Sequence, residues 1–183
     1  MRYGVLIDLR KCVGCHTCTV ACQNENKLPF DMKWNRVLRM GPVGTYPDLK
    51  AYSIPVPCMH CKEAPCVEGC PTGASYRTKE GIVLVDENKC VGCKFCMVVC
   101  PYDARSYDAE KGVVKKCVMC VERVAQGMQP RCVETCQLKA RTFGDIDDEN
   151  SEIRMYIDAY EAKPLYPELG TEPVVYYIMP EGC

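Results

Sequence analysis

The hydrophobic positions of this chain fall in short runs, separated by polar residues, glycines and prolines. Residues 3–11 and 81–85 each contain a run of Val, Leu and Ile of the length typical of a β-strand. Residues 174–178 form a third run, which predicts a short strand or an extended tail. After the acidic stretch 145–152, one helical face is shared by Ile153, Tyr156, Ile157 and Tyr160. The pattern therefore predicts an α+β fold built from short elements.

Two further segments have weaker patterns. Segment 23–57 holds five prolines and the only tryptophan, and we interpret it as an excursion with one strand and much irregular backbone. An insert of this length on a small scaffold either contacts a partner or folds over its own domain, and the sequence leaves both open. Residues 121–126 predict a short helix that ends at Gly127, with Pro130 just beyond it.

Cysteine changes this picture, because the chain has seventeen cysteines in 183 residues. A secreted disulfide scaffold is also rich in cysteine. The cysteine spacing argues against it, and residues 1–8 show no apolar signal segment. No run reaches the roughly 18 apolar residues of a transmembrane helix, so we expect a soluble or peripheral subunit. The formal net charge is −1, which offers no basic stripe for nucleic acid.

Sixteen of the cysteines form four groups of four, and every group begins C-x2-C and ends C-x3-C. Groups one and three have a middle gap of two residues, group two a gap of four, and group four a long one. The groups are Cys12, Cys15, Cys18 and Cys22; Cys58, Cys61, Cys66 and Cys70; Cys90, Cys93, Cys96 and Cys100; and Cys117, Cys120, Cys132 and Cys136. The odd cysteine, Cys183, has no ligand partners in the sequence around it.

Group three, followed by Pro101, has the spacing C-x2-C-x2-C-x3-C-P of bacterial ferredoxins. There, three nearby thiolates hold one [4Fe–4S] cluster and the fourth ligates a neighbouring cluster, so one group implies two clusters. Zinc is the chemical alternative, because C-x2-C pairs also make four-thiolate sites. Zinc motifs usually separate two pairs, whereas groups one and three place three cysteines within seven residues. The spacing therefore favours iron and sulfur.

The segment that leads into and through group one recurs at group three, 78 residues further along. Besides the cysteines, the repeated positions are Leu6, Asp8, Lys11, Val13, Gly14 and Val20, matched by Leu84, Asp86, Lys89, Val91, Gly92 and Val98. The repeat predicts two equivalent half-units, each with a strand, a cluster loop and a following segment. We expect Gly14 and Gly92 to let the loop backbone approach its cluster without a Cβ clash.

The residues after each group indicate how the groups pair. Groups two and three end in Cys-Pro, at Pro71 and Pro101, whereas groups one and four end in Cys-Gln, at Gln23 and Gln137. This favours a nested arrangement, in which group two pairs with group three and group one with group four. Sequential pairing, one with two and three with four, stays open.

The other polar residues offer little acid or base chemistry. The only histidines, His16 and His60, lie beside ligand cysteines. Each could tune a cluster potential, and a solvent-facing position is the simpler interpretation. The lysines next to cysteines either offset cluster charge or are ordinary surface residues; they are Lys11, Lys62, Lys89, Lys94, Lys115 and Lys116. No catalytic triad, phosphate-binding loop or paired-carboxylate motif is present, so we expect electron transfer rather than catalysis.

These motifs resemble those of one family. Residues 4–15, 58–66 and 90–101 are similar to the electron-transfer (beta) subunit of molybdopterin oxidoreductases, which include dimethyl sulfoxide, polysulfide or thiosulfate, tetrathionate and arsenate reductases and transhydroxylase. The resemblance covers residues 1–145 and, more weakly, the tail. It implies a relay of four [4Fe–4S] clusters. It also implies a large catalytic partner that carries Mo or W on a bis-pterin guanine dinucleotide and, in many members, a quinone-reactive membrane anchor.

The resemblance also implies which cysteines share a cluster. One unit would hold clusters on Cys12, Cys15, Cys18 and Cys136 and on Cys117, Cys120, Cys132 and Cys22. The other unit would hold clusters on Cys58, Cys61, Cys66 and Cys100 and on Cys90, Cys93, Cys96 and Cys70. No position departs from the family pattern, so four complete clusters and no catalytic residue are expected.

We therefore expect two bacterial-ferredoxin-like units, one inserted in the other. The outer unit comprises residues 1–50 and 106–145, the inner unit residues 51–105, and residues 146–183 form a C-terminal helix and extended tail. The alternatives are a stand-alone polyferredoxin, a relay subunit of a hydrogenase or formate lyase and, from another class, a zinc-binding structural module. In the family the catalytic subunit often carries the export signal for both chains. The sequence therefore leaves two locations open for this chain, the periplasmic face of the membrane and the cytoplasm.

Overall fold

The computed structural model describes residues 1–180 of the chain. It contains both helices and strands, all of them short, which confirms the predicted mixture of the two. In chain order they are β1 Tyr3–Asp8, α1 Thr17–Glu25, β2 Arg36–Val43, β3 Lys50–Val56, α2 Pro65–Glu68, β4 Ser75–Arg77, β5 Val83–Val85, α3 Phe95–Val98, β6 Arg105–Asp108, β7 Val113–Lys116, α4 Val121–Ala125, α5 Arg131–Glu134, β8 Arg141–Asp145, α6 Glu152–Ala159 and β9 Val175–Ile178, with a 3₁₀ turn at Pro167–Leu169. Cys183 lies outside the described residues.

A three-stranded sheet with β1 at its centre joins the two ends of the described chain. β1 pairs antiparallel with β8 and parallel with β9, so the last apolar run is a strand within the sheet. Val5 and Ile7 pack into one hydrophobic core with Val175 and Tyr177 of β9. Leu6 points into a second core on the opposite face. Both faces of β1 are buried, which explains its unbroken apolar sequence.

Helix α6 covers the second core. Ser151 caps its N-terminus, where the Oγ atom accepts a hydrogen bond from the Arg154 N–H at 3.2 Å. Ile153 and Ile157 are buried, as the helical spacing predicts. The two tyrosines of the predicted face are exposed at the helix edge, where the rings of Tyr156 and Tyr160 lie 6.1 Å apart. The buried stripe is therefore narrower than predicted.

The remaining strands form three antiparallel hairpins, β2–β3, β4–β5 and β6–β7. The prediction of a single strand within residues 23–57 is wrong, because β2 and β3 both lie there and pair with each other. Ile54 and Val56 of β3 enter the first core, whereas the tip of this hairpin is exposed at Tyr46. β6 starts at Arg105 and runs through the boundary predicted between residues 105 and 106. Within residues 1–180, none of the helices has the length and apolarity needed to cross a bilayer.

Candidate metal centres

The cysteine groups occupy equivalent positions in the fold. In every group the first two cysteines lie in a loop and the third is the second residue of a helix. These third cysteines are Cys18 in α1, Cys66 in α2, Cys96 in α3 and Cys132 in α5. Helix α1 packs against α5, and α2 packs against α3. The helices of groups one and four are therefore neighbours, as are those of groups two and three.

Four cavities have walls rich in cysteine, and each contains one group's first three cysteines and another group's last. Cavity A is lined by Cys12, Cys15, Cys18 and Cys136; cavity B by Cys22, Cys117, Cys120 and Cys132; cavity C by Cys58, Cys61, Cys66 and Cys100; and cavity D by Cys70, Cys90, Cys93 and Cys96. Cys58 also reaches the wall of cavity B, as a fifth cysteine there. Within residues 1–180, no three Cys, His, Asp or Glu side chains converge closely enough to hold a single metal ion. All sixteen described cysteines are free thiols.

The cavities form a series in which neighbours share a wall residue. Arg141 lines both A and B, Cys58 lines both B and C, and Arg105 lines both C and D. Cys15 in A and Cys93 in D are the two exposed cysteines among those described. The series therefore begins and ends at the surface and runs through the interior between these two points.

Burial raises the pKa of many of these thiols, for Cys61 and Cys117 to about 12. The same direction and cause apply to Cys12, Cys22, Cys66, Cys96, Cys120 and Cys132. Exposed Cys15 differs, because hydrogen bonds from Thr17 lower the pKa of its thiol. Metals bind the thiolate form. Ionisation of the buried cysteines therefore needs positive charge in or beside the cavities.

Three buried cations lie among the cavities without a carboxylate partner within residues 1–180: Arg105, Lys116 and Arg141, each at most 6% exposed. Arg105 donates to Ser75 Oγ, and Lys116 donates to the carbonyls of Val83 and Cys117. An unpaired buried charge is strongly unfavourable. These cations therefore require anionic neighbours, which cysteine thiolates supply.

The buried polar atoms that lack partners point to the same need. Within residues 1–180 all six such side-chain atoms are nitrogens: Arg2 Nε, Trp34 Nε1, Asn35 Nδ2, His60 Nε2, Arg105 Nη2 and Arg141 Nη1. Four of these residues line the cavities, namely Asn35, His60, Arg105 and Arg141. A buried donor without an acceptor is costly. The sulfides and thiolates of an iron–sulfur cluster accept hydrogen bonds, so the donor set fits such a group.

Two predictions for individual residues require correction. His16 is exposed, but His60 is 1% exposed, so a solvent-facing position is wrong for it. The Val83 N–H donates to His60 Nδ1 at 3.1 Å, and the free Nε2 atom lies at cavity B. Burial lowers the pKa of His60 far below its usual range, and the charges of Lys116 and Arg105 lower it further. Lys116 is likewise buried, in contrast to the exposed Lys62.

The repeated glycines of the cluster loops have positive φ angles, +71° at Gly14 and +65° at Gly92. A Cβ atom at Gly14 would lie 2.4 Å from Ser53 Oγ, and one at Gly92 would lie 2.3 Å from the Gly112 carbonyl oxygen. The atoms that exclude a side chain at these positions therefore belong to the β2–β3 hairpin and the β6–β7 turn. The predicted need for glycine at these positions is confirmed, and the close approach of the loops to a cluster stays a prediction.

Comparison with known proteins identifies the family. A model of the 4Fe-4S dicluster domain matches residues 49–146. The B subunit of tetrathionate reductase from Salmonella typhimurium is 42% identical over 97% of this chain and 72% of its own length. The arsenate respiratory reductase iron–sulfur subunit ArrB from Shewanella is 34% identical over 100% of this chain and 98% of its own length. The B subunit of sulfite dehydrogenase from Allochromatium vinosum is 40% identical over 96% of this chain and 82% of its own length.

The chain belongs to the iron–sulfur (beta) subunit family of molybdopterin oxidoreductases. Beta subunits of this family transfer electrons and are not catalytic alone, and the sixteen cysteines fit four [4Fe–4S] clusters. The disulfide and zinc alternatives are therefore wrong. Sequence reasoning missed Arg105 and Arg141 in this beta subunit. A signal was present, because each lies five residues after the last cysteine of its group, Cys100 and Cys136.

Proposed function

We propose that the four cavities hold the four clusters and that their cysteines are the ligands. The sets are Cys12, Cys15, Cys18 and Cys136 in cavity A; Cys22, Cys117, Cys120 and Cys132 in B; Cys58, Cys61, Cys66 and Cys100 in C; and Cys70, Cys90, Cys93 and Cys96 in D. The single observation that carries this proposal is that each cavity is lined by three cysteines of one group and the last cysteine of another. Sequential pairing would not produce these four combinations.

A repeated backbone contact supports the nested pairing. The Asp8 N–H before group one donates to the Ala140 carbonyl after group four, at 2.8 Å. The Asp86 N–H before group three donates to the Ala74 carbonyl after group two, also at 2.8 Å. The outer unit, residues 1–50 and 106–145, and the inner unit, residues 51–105, would then each hold two clusters. The hairpins β2–β3 and β6–β7 would join the units.

The series of cavities supports a linear relay in the order A, B, C, D. When bound, the clusters accept and release single electrons. The chain holds them in sequence and surrounds the middle two with protein, which leaves the surface at Cys15 and at Cys93 as the two points of exchange. The repeat-related Val13 and Val91 are 70% and 66% exposed beside these cysteines. Each end therefore offers an apolar surface for a redox partner.

The relatives suggest what those partners are. They are named as subunits of tetrathionate reductase, arsenate respiratory reductase and sulfite dehydrogenase. We infer that this chain works with a large subunit that carries Mo or W on a bis-pterin guanine dinucleotide at one end. At the other end it would exchange electrons with a second redox protein, such as a quinone-reactive membrane anchor.

Iron and acid-labile sulfide analysis of anaerobically purified complex tests this function. We expect sixteen iron atoms per chain, four for each cluster, and a molybdopterin-containing subunit in the same preparation. Cys93→Ser should lose or convert the cluster of cavity D, whereas Cys183→Ser, the matched control, should keep all sixteen iron atoms. An iron and sulfide content far below sixteen atoms per chain would overturn the proposal. A brown chain that purifies without a molybdopterin subunit would favour the polyferredoxin alternative.

A further inference from the structure

Two arginines, one in each half of the molecule, occupy similar places. Arg105 is the first residue of β6 and Arg141 is the first residue of β8. Each follows the last cysteine of a group by five positions, and each lies in the wall between two cavities. Both are buried, at 4% and 6% exposure. The fold therefore places one buried guanidinium between the two cavities of each unit.

Arg105 lies between cavities C and D. Its Nη1 donates to Ser75 Oγ at 2.9 Å, and its Nη2 has no partner. Burial raises the pKa of Cys66 and Cys96, and the positive charge of the guanidinium opposes this at both thiols. These two sulfurs are the third cysteines of groups two and three, one from each cavity.

Arg141 repeats this arrangement between cavities A and B. Its Nη2 donates to Cys18 Sγ at 3.4 Å and to Asn35 Oδ1 at 3.1 Å, and its Nη1 has no partner. The guanidinium also faces Cys132, where burial raises the pKa of the thiol and Arg141 opposes this effect. Cys18 and Cys132 are again the third cysteines of their groups, one from each cavity.

The planar guanidinium suits this position better than an ammonium would. It stays charged at every accessible pH and presents donors in a fixed fork, so it can address two sulfurs in different directions. It has no carboxylate partner within residues 1–180, so the negative charge of the cluster ligands is what balances it. An electron added to either neighbouring cluster increases that negative charge. The cation therefore favours the reduced form of both.

We infer that Arg105 and Arg141 are shared potential-setting residues, each of which raises the reduction potentials of the two clusters of its own unit through hydrogen bonds and charge at their third cysteines. This inference rests on the proposed ligand sets. An opposite charge at short range shifts a protonation equilibrium by about ten- to a thousandfold. Electron uptake responds to the same electrostatic potential, so loss of the charge should lower the reduction equilibrium constants at least tenfold.

The test uses Arg105→Gln and Arg141→Gln variants of the intact complex, each titrated with a mediated reductant and followed by electron paramagnetic resonance. We expect Arg105→Gln to lower the reduction equilibrium constants of two of the four clusters at least tenfold. This corresponds to a fall of 59 mV in reduction potential for a one-electron couple. Arg141→Gln should lower the other two, so each variant is the matched control of the other. Arg105→Lys and Arg141→Lys keep the charge and should shift the same clusters by less.

Iron analysis separates this inference from the proposed function. If the unmodified complex lacks sixteen iron atoms, the proposed function fails. If the Gln variants keep their iron and leave all four potentials within threefold, or if both variants shift the same clusters, the inference fails. If a Gln variant loses iron, its Lys variant decides by which clusters shift: a smaller shift confined to the two clusters of one unit supports the inference, and a shift of clusters in both units overturns it. Loss of iron from both variants of either arginine would indicate a purely structural role and would overturn the inference.

Discussion

At the scale of single residues, backbone shape around the cysteines depends on atoms that sequence motifs do not name. Gly92 needs its positive φ and also leaves no room for a Cβ atom beside the Gly112 carbonyl oxygen. Gly112 has a similar φ of +69° but nothing within 4 Å of its Cβ position. A substitution at Gly112 therefore introduces backbone strain alone, whereas a substitution at Gly92 introduces both backbone strain and steric overlap.

We predict that Gly92→Ala destabilises the protein more than Gly112→Ala. A non-glycine residue in the left-handed region costs about 1–2 kcal/mol in both variants, and only Gly92→Ala adds the overlap with a carbonyl oxygen. The measurement is the denaturant concentration at which the visible absorption of the clusters disappears. Equal midpoints for the two variants would show that the contact across the β6–β7 turn relaxes without cost.

His60 allows a second prediction at this scale. Its Nδ1 is the acceptor for the buried Val83 N–H. His60→Leu removes this acceptor and should lower the free energy of unfolding by about 1–3 kcal/mol, the cost of an unsatisfied buried donor. His60→Asn is the matched control, because its Oδ1 can replace Nδ1, and it should lose less. Chemical denaturation of both variants under anaerobic conditions measures the difference, and an equal loss would contradict this role for Nδ1.

At the scale of elements, the last strand, β9, belongs to the same sheet as the first strand, β1. β9 pairs in parallel with β1 and, together with the residue before it, contributes Val174, Val175 and Tyr177 to the two cores, each 1% exposed. The Tyr177 hydroxyl also donates to the Pro55 carbonyl at 2.9 Å, which ties the sheet to β3. The strand therefore supports the strands that lead into groups one and two.

We predict that removal of residues 174–183 lowers the iron content of the purified chain, because β1 would lose its partner strand and both cores would open. Removal of residues 181–183 is the matched control and should retain sixteen iron atoms. Iron analysis and a melting curve check both. Full iron content in the longer truncation would show that β8 alone fixes β1.

Elements also show where sequence reasoning succeeded. The strands at residues 3–8, 83–85 and 175–178 were predictable because their apolar runs are short and continuous. The β2–β3 hairpin was only half predicted, because Pro42 and Pro55 lie inside its strands and proline normally indicates a break. A register shift between Met40 and Val43 accommodates this irregular pairing. The alternating pattern that identifies a strand is lost in such a segment.

At the scale of the whole molecule, the cysteines and their spacing predicted the family and the four groups. The burial of the charges around them was less predictable. The shared five-residue offset of Arg105 and Arg141 from Cys100 and Cys136 was the one signal, and Lys116 and His60 have no spacing that indicates burial. Arg105, Lys116 and His60 are surrounded by other elements only after the two halves fold together. Their positions follow from the tertiary structure, whereas a cysteine group is defined within a few residues of sequence.

Cluster removal should therefore loosen the whole molecule. Without clusters, Arg105, Lys116 and Arg141 lose the negative charge that balances them, and metal binding is coupled to folding in such proteins. We predict that anaerobic iron chelation exposes most of the sixteen ligand cysteines to a thiol reagent and increases proteolysis. Reconstitution with iron and sulfide should reverse both changes. A cluster-free chain that keeps its thiols protected would contradict this prediction.

The accessibility of Cys15 and Cys93 also determines how this protein is damaged. Oxidants attack thiolates according to their exposure, so peroxide or oxygen should reach the two outermost sulfurs before the interior ones. Oxidative damage would then start at the two outer clusters. A partly damaged chain would still contain the two inner clusters and about half of its visible absorption, yet it could no longer pass electrons between its partners.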